Sequence, residues 1–262
     1  MKTTYYHNAT IITQLLYRDF YIFRQSFLSK LEMSLYLILV PTFIAKFFLP
    51  SMGLHNFGPF ILVGSIVSYG FFMCMNNAMS LIEDVMGSQA IEYELTLPIQ
   101  QSLIFFKIAL STMLQSLIIT LCLVPCGLFF ITDSNPFPDL SITKLITILT
   151  CASIFYGSFS LILATFIKSM SQVDNVWLRI FFPIWYLGCF QFPWRTLYNI
   201  SPEAAYANLL NPMTLIMEAG RSATINSAGS LPFGLCCVMI LLYSTISCII
   251  GIYWMRKRLD CI

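Results

Sequence analysis

Chemistry needs ionisable groups at fixed spacing, and this sequence has few: 14 Lys and Arg, 12 Asp and Glu and two histidines in 262 residues. His7 and His55 are far apart, which argues against a histidine-rich metal site. The nine cysteines (Cys74, Cys122, Cys126, Cys151, Cys189, Cys236, Cys237, Cys248 and Cys261) fall mostly inside apolar runs, with no CxxC pair and no zinc-ligand spacing. A free cysteine in such a setting behaves as a small hydrophobe, so these read as packing residues. There is no GxxxxGK(S/T) phosphate loop, no HExxH and no GxSxG. The acidic residues cluster at the ends of apolar runs rather than as pairs within them. The chain is therefore expected to be no enzyme, and no bound cofactor or catalytic residue is expected on it.

Three groups of polar residues remain. The first lies in 83–107, which carries Glu83, Asp84, Glu92 and Glu94, then Leu95 and Pro98, then Lys107. An acidic, helix-capable segment with a proline opening the next helix suits a docking element whose charges set register on a basic partner; it also suits a plain connector. In the docking case, reversing Glu92 and Glu94 to lysine should weaken partner binding and leave the chain folded. The second is 194–221, with Pro202, the run Asn211-Pro212-Met213-Thr214, and Glu218 and Arg221 three residues apart on one helical face. A pair so placed is expected at the outer membrane face, partly buried and mutually shielding. The third is Asn76, Asn77 and Gln115, polar residues inside apolar runs. They either bond between helices or line a path for a translocated molecule.

The elements that position these residues follow from composition. The chain is 58% hydrophobic and 10% charged, against about 45–50% and about 25% for a soluble globular protein. Lipid removes the need for polar cover, so an all-α membrane protein is expected. A spanning helix needs about 20 mostly apolar residues, and 31–50, 57–82, 103–132, 145–167 and 231–255 qualify. A shorter run, 176–193, makes six. The following 194–229 is too polar to span and too apolar to be a free loop, and reads as a re-entrant helical hairpin between the fifth and sixth spans. Ahead of the first span, Ile12, Leu16, Phe20, Phe23 and Phe27 recur at helical spacing. A helix with that stripe either lies in the headgroup plane or packs on the bundle; the first is expected. Arg18, Asp19, Arg24 and Lys30 argue against an ordinary signal peptide, so the first span is expected to direct insertion. The whole chain, 1–262, reads as one domain: 1–30 with the interfacial helix, 31–255 in the membrane and 256–262 as a tail. With both termini cytosolic, ten of the 14 basic residues face inward, as the positive-inside rule asks. Ser153, Gly157, Ser160 and Ala164 form a small-residue stripe for close helix approach, and Pro125 is expected to kink its helix. The net charge of +2 suggests no nucleic-acid partner.

The polar segments also carry a resemblance. Asn211-Pro212-Met213-Thr214 with Glu218 and Arg221 is similar to the NPLT-xxx-EA-x-R segment of type-two permeases of ATP-binding-cassette exporters, the group that moves polysaccharides, lipid-linked glycans, nodulation factors and drugs. Phe190-Gln191-Phe192-Pro193, with Gly188 and Cys189 before it, resembles that family's SG-x-x-FP step. Glu92, Leu95 and Pro98 resemble its E-xx-L-xx-P cytosolic element, with Glu94 where the pattern has leucine. The resemblance covers nearly the whole chain. It implies a bacterial inner-membrane subunit that pairs with a second permease copy, identical or related, among membrane lipids. It implies cytosolic ATPase subunits that carry ATP and Mg and dock on the loop containing Glu83, Asp84, Glu92, Glu94, Leu95 and Pro98. It also implies export of an amphipathic or glycan-containing molecule. A stand-alone channel or secondary transporter is the alternative, against which stand the lack of an internal repeat and of midplane charges.

Overall fold

A computed structural model describes residues 2–52, 57–84, 90–96, 99–130, 137, 139–167, 170–225 and 231–259. His55, Pro98, Lys168 and Cys261 lie outside them, as do the side chains of Lys2, His7, Glu92 and Leu95. The described chain is all-helical, with no strand. Among the described residues five helices are long and apolar enough to cross a membrane, within Ala9–Phe48, Phe57–Glu83, Gln101–Phe129, Ile142–Phe166 and Phe233–Arg258.

The first of these departs from the two elements expected at the N-terminus. Helix α1 runs Lys2–Phe43 without interruption. No glycine or proline separates the amphipathic stretch from the apolar run, so nothing in the local sequence stops the helix at residue 30. The amphipathic stretch is therefore continuous with the first span. Phe23 is buried and Phe27 packs against the core, while Phe20 stays exposed; the apolar stripe is shared between the bundle and the outside. Irregularity comes only after Pro41, which removes a backbone donor inside the helix. The chain then passes through a π-turn, Ile44–Phe48, and a 3₁₀ turn, Leu49–Met52.

Helix α2, Phe57–Glu83, is the most enclosed of the long helices, with Ile61 through Phe71 all buried. Helix α3, Ala90–Leu95, is short; α4, Gln101–Phe130, continues through Pro125. The expected start of the third span at Pro98 moves to Gln101. Helix α5, Ile142–Phe166, sits between α4, α2 and the C-terminal helix α11, Phe233–Leu259. Its small-residue stripe is buried, as expected from the spacing: Ser153, Gly157, Ser160 and Ala164 are all enclosed. Gly157 presses directly on the α4 backbone, and a Cβ there would overlap the Ala109 carbonyl oxygen. Gly157→Val is therefore expected to cost about 1–3 kcal/mol or more, the usual penalty of overpacking against a part that cannot yield. Thermal unfolding in detergent checks this beside the exposed control Thr147→Val, expected within about 0.5 kcal/mol of the parent. Equal midpoints for the two variants would mean that α4 and α5 are not in close contact.

The expected sixth span at 176–193 is a chain of short pieces: a 3₁₀ turn, Met170–Gln172; α6, Val173–Val176; a π-turn, Trp177–Phe181; α7, Phe182–Trp185; and a second π-turn, Tyr186–Phe190. It is not among the five long apolar helices. Pro183 removes a donor within it, and Cys189, at φ 61, breaks the helix. Then come α8, Trp194–Ile200, α9, Pro202–Asn208, and α10, Pro212–Thr224. Every residue of α10 from Met213 to Thr224 is buried, against α2, α5, α11 and the Tyr186–Phe190 turn.

Candidate functional site

Helix α10 begins where proline and asparagine chemistry says it should. Pro212 occupies the first turn, where a missing N–H costs nothing. The Asn211 side chain caps the helix by accepting from the Met213 N–H at 3.0 Å. Its amide donates to the Ile184 carbonyl at 2.7 Å, tying α10 to the broken segment before it. Two turns on, Arg221 and Glu218 face each other on one side of α10. The Arg221 Nη1 donates to Glu218 Oε1 at 3.2 Å and its Nη2 to the Phe190 carbonyl at 2.9 Å. The guanidinium stacks 3.6 Å from the centre of the Phe60 ring on α2. The Glu218 carboxylate also accepts from the Trp194 N–H at 3.1 Å.

Breaking the helix at Cys189 and restarting it at Trp194 leaves carbonyls and N–H groups without helical partners. In apolar surroundings each is costly. The ion pair satisfies one of each, at Phe190 and Trp194. Arg221 is 0% exposed and Glu218 1%, so the expected half-shielded surface pair is instead fully enclosed. Its position is set by packing on Phe60 of α2 as well as by the Phe190–Trp194 segment.

A second ionic cluster lies where α1, α3 and α4 meet. Lys107 on α4 reaches Asp19 at 2.9 Å and Glu94 at 3.1 Å. Arg18 pairs with Asp19 at 3.0 Å and also with Glu94. Two cations thus neutralise two carboxylates, and the pair at the centre is enclosed: Lys107 is 2% exposed and Glu94 3%. Glu94 is therefore not part of an exposed acidic surface. The short helix α3 turns its carboxylate inward because Lys107 and Arg18 are there to receive it, and unpaired cations among apolar helices would be expensive. Among the described side chains of this stretch, Glu83, Tyr93 and Thr96 face outward. The Asp84 carboxylate accepts from the Ile91 N–H at 2.9 Å and so holds the start of α3.

Beside this cluster a cavity of about 580 Å³ opens between α1, α2, α3 and α4. It brings together Asn77 and Gln115, two residues singled out as polar groups inside apolar runs; Asn76 is not among its lining residues. Lys30 donates to the Gln115 side-chain carbonyl at 3.3 Å, and the Gln115 amide donates to Ser111 at 3.2 Å. Sequence reasoning did not single out Arg18, Asp19, Lys30 or Lys107 as a site. The available signal was Lys107 alone in an apolar helix and an adjacent Arg–Asp pair beside an apolar stripe. Among the described residues no group of three His, Cys, Asp or Glu is placed to hold a metal, and the described cysteines are free thiols. Comparison with family models, with curated proteins and with solved structures returns no match.

Proposed function

We propose that this chain is the membrane-spanning subunit of an ATP-driven exporter, moving an amphipathic or glycan-containing molecule out of a bacterial cytoplasm. The observation that carries the proposal is the meeting of two motif segments. Arg221 and Glu218, from the NPLT-like segment, hold Phe190 and the Trp194 N–H, at either end of the FP step. Residues about thirty apart, which together supported the resemblance, form one buried device. In this proposal 176–193 is the fifth of six crossings in chain order despite its broken backbone, and α8 to α10 form a re-entrant hairpin at the outer side. Both termini are cytosolic, which keeps Arg256, Lys257 and Arg258 on the inner face.

The rest of the proposal concerns partners. Two permease copies pair in the inner membrane, and two ATPase subunits bind at the cytosolic ends of α2, α3 and α4. Energy reaches the membrane through that contact, because this chain has no phosphate loop. Ligand-driven motion requires different contacts in the open and closed ATPase states. The α3 segment, held to both α1 and α4 by the Glu94 cluster, is suited to pass movement to both helices at once.

The test is co-expression with an ATPase encoded beside it. The expected results are co-purification through the permease, ATP hydrolysis altered by reconstitution with it, and transport that stops when ATP is replaced by a non-hydrolysable analogue. Transport by the chain alone, driven by an ion gradient, would replace this proposal with the secondary-transporter alternative.

A further inference from the structure

The cavity between α1, α2, α3 and α4 holds one cation without a carboxylate partner among the described residues. In the ionic cluster along it, Asp19 and Glu94 are neutralised by Arg18 and Lys107, and Asp84 takes the Ile91 N–H. Glu83 also lines it and is exposed. Lys30, which is partly buried, finds neutral company among the described residues: the Gln115 carbonyl at 3.3 Å and the face of the Phe23 ring at 5.2 Å. The Asn77 amide nitrogen is closed off from solvent and has no hydrogen-bond partner. Both groups line the same cavity, with the hydroxyl-bearing Ser111 and Thr112 beside them. Lys107 and Gln115 are eight residues apart on α4, so about 12 Å of helix separates the ion-paired cluster from the Gln115 that Lys30 touches. Over that distance the Asp19 and Glu94 carboxylates, already paired, offer Lys30 little compensation.

An uncompensated cation and an orphaned donor in one cavity call for the same thing, a negatively charged acceptor. We propose that the part of this cavity lined by Lys30, Asn77 and Gln115 binds an anionic group such as a phosphodiester or carboxylate. The volume of about 580 Å³ lies inside the about 300–1,000 Å³ range of small-molecule sites. The cavity also has apolar walls, from Ile22, Phe23 and Ile108, which suits an anion carried on an amphipathic molecule. Lys30 supplies charge, Asn77 a second donor, and Gln115 holds the lysine in place. Such binding needs no ATPase, so it stands or fails separately from the exporter proposal.

The experiment is a titration of the purified full chain in detergent, read by native mass spectrometry, with phosphatidylglycerol, phosphatidylcholine and inorganic phosphate in separate arms. The expected result is phosphatidylglycerol retained about tenfold or more over phosphatidylcholine, about the worth of one hydrogen bond to a charged group. Lys30→Met should abolish that preference. Asn77→Asp should also abolish it, because the chain then supplies the missing anion itself, and should raise the unfolding temperature above that of the parent. Inorganic phosphate that binds alone, and is lost in both variants, assigns the site to free anions; phosphate that neither binds nor competes assigns it to lipid. If Lys30→Met does not fold, Asn77→Asp decides. Equal retention by parent and Asn77→Asp, or no preference for an anion in any arm, overturns the proposal.

Discussion

Arg221→Ala is expected to leave little or no folded protein in the membrane. The substitution removes the donor that satisfies the Phe190 carbonyl and strands the Glu218 carboxylate where it is 1% exposed. Breaking a buried pair from one side costs on the order of 3–5 kcal/mol, a large share of the about 5–15 kcal/mol that keeps an ordinary domain folded. Glu218→Ala should be comparably harmful, since it strands the guanidinium and frees the Trp194 N–H. The double replacement should cost clearly less than the two single losses added, because neither charge is then left alone. Arg221→Lys should recover only part: one ammonium cannot reach Glu218 and the Phe190 carbonyl while stacking on Phe60. Yield of monodisperse protein after detergent extraction, followed by thermal unfolding, measures all four. If Arg221→Ala accumulates and melts like the parent, the pair does not hold α10 and the Phe190–Trp194 segment to α2. Fully additive single losses would mean that the two residues act separately.

Glu94→Lys is expected to be the second severe change. It would put three cations, Arg18, Lys107 and the new lysine, around Asp19 as the one carboxylate left to them in a cluster whose centre is almost solvent-free. Like charges at such separations in a poorly screened site are strongly unfavourable. Folded protein should fall to a small fraction of the parent's. Tyr93→Lys, one residue away on a side chain that is 67% exposed, should fold normally. This replaces the sequence-based expectation that reversing Glu94 spares the fold. Loss of partner binding after Glu94→Lys would therefore report on folding, not on docking. A docking surface is better probed at Tyr93 and at Glu83, which face outward. A Glu94→Lys variant with the parent's yield and melting temperature would show that the cluster rearranges freely and that α3 is only loosely held.

Much of the architecture is a consequence of composition and spacing alone. Long apolar runs with few charges have one economical solution in lipid, a helix that satisfies its own backbone, so the existence of the five long helices is legible, though α1 runs far ahead of its expected start. So is the close approach at Gly157, since a small-residue stripe at helical period has little other use. The capping role of Asn211 and the pairing of Glu218 with Arg221 are local too, because residues two or three apart on a helix must lie near each other.

What sequence could not settle was which distant residues share a site. Lys107 and Asp19, or Arg221 and the Phe190 carbonyl, are brought together by helix packing, which no local pattern encodes. The charge of Glu94 suggested an outward face, and a partner more than seventy residues away turned it inward. What the first half of α1 packs against likewise depended on the bundle: its apolar stripe reads equally well as a face for headgroups or for protein, and the burial of Phe23 together with the ion pairs of Arg18 and Asp19 determines how much of it belongs to protein. Tertiary structure also decided the meaning of Asn77, Lys30 and Gln115. Singly they are tolerable polar residues in apolar helices. In one cavity, a cation without a carboxylate partner and an orphaned donor make them a candidate anion site, because an unpaired hydrogen-bonding group such as the Asn77 amide nitrogen is costly where the surrounding helices keep water away.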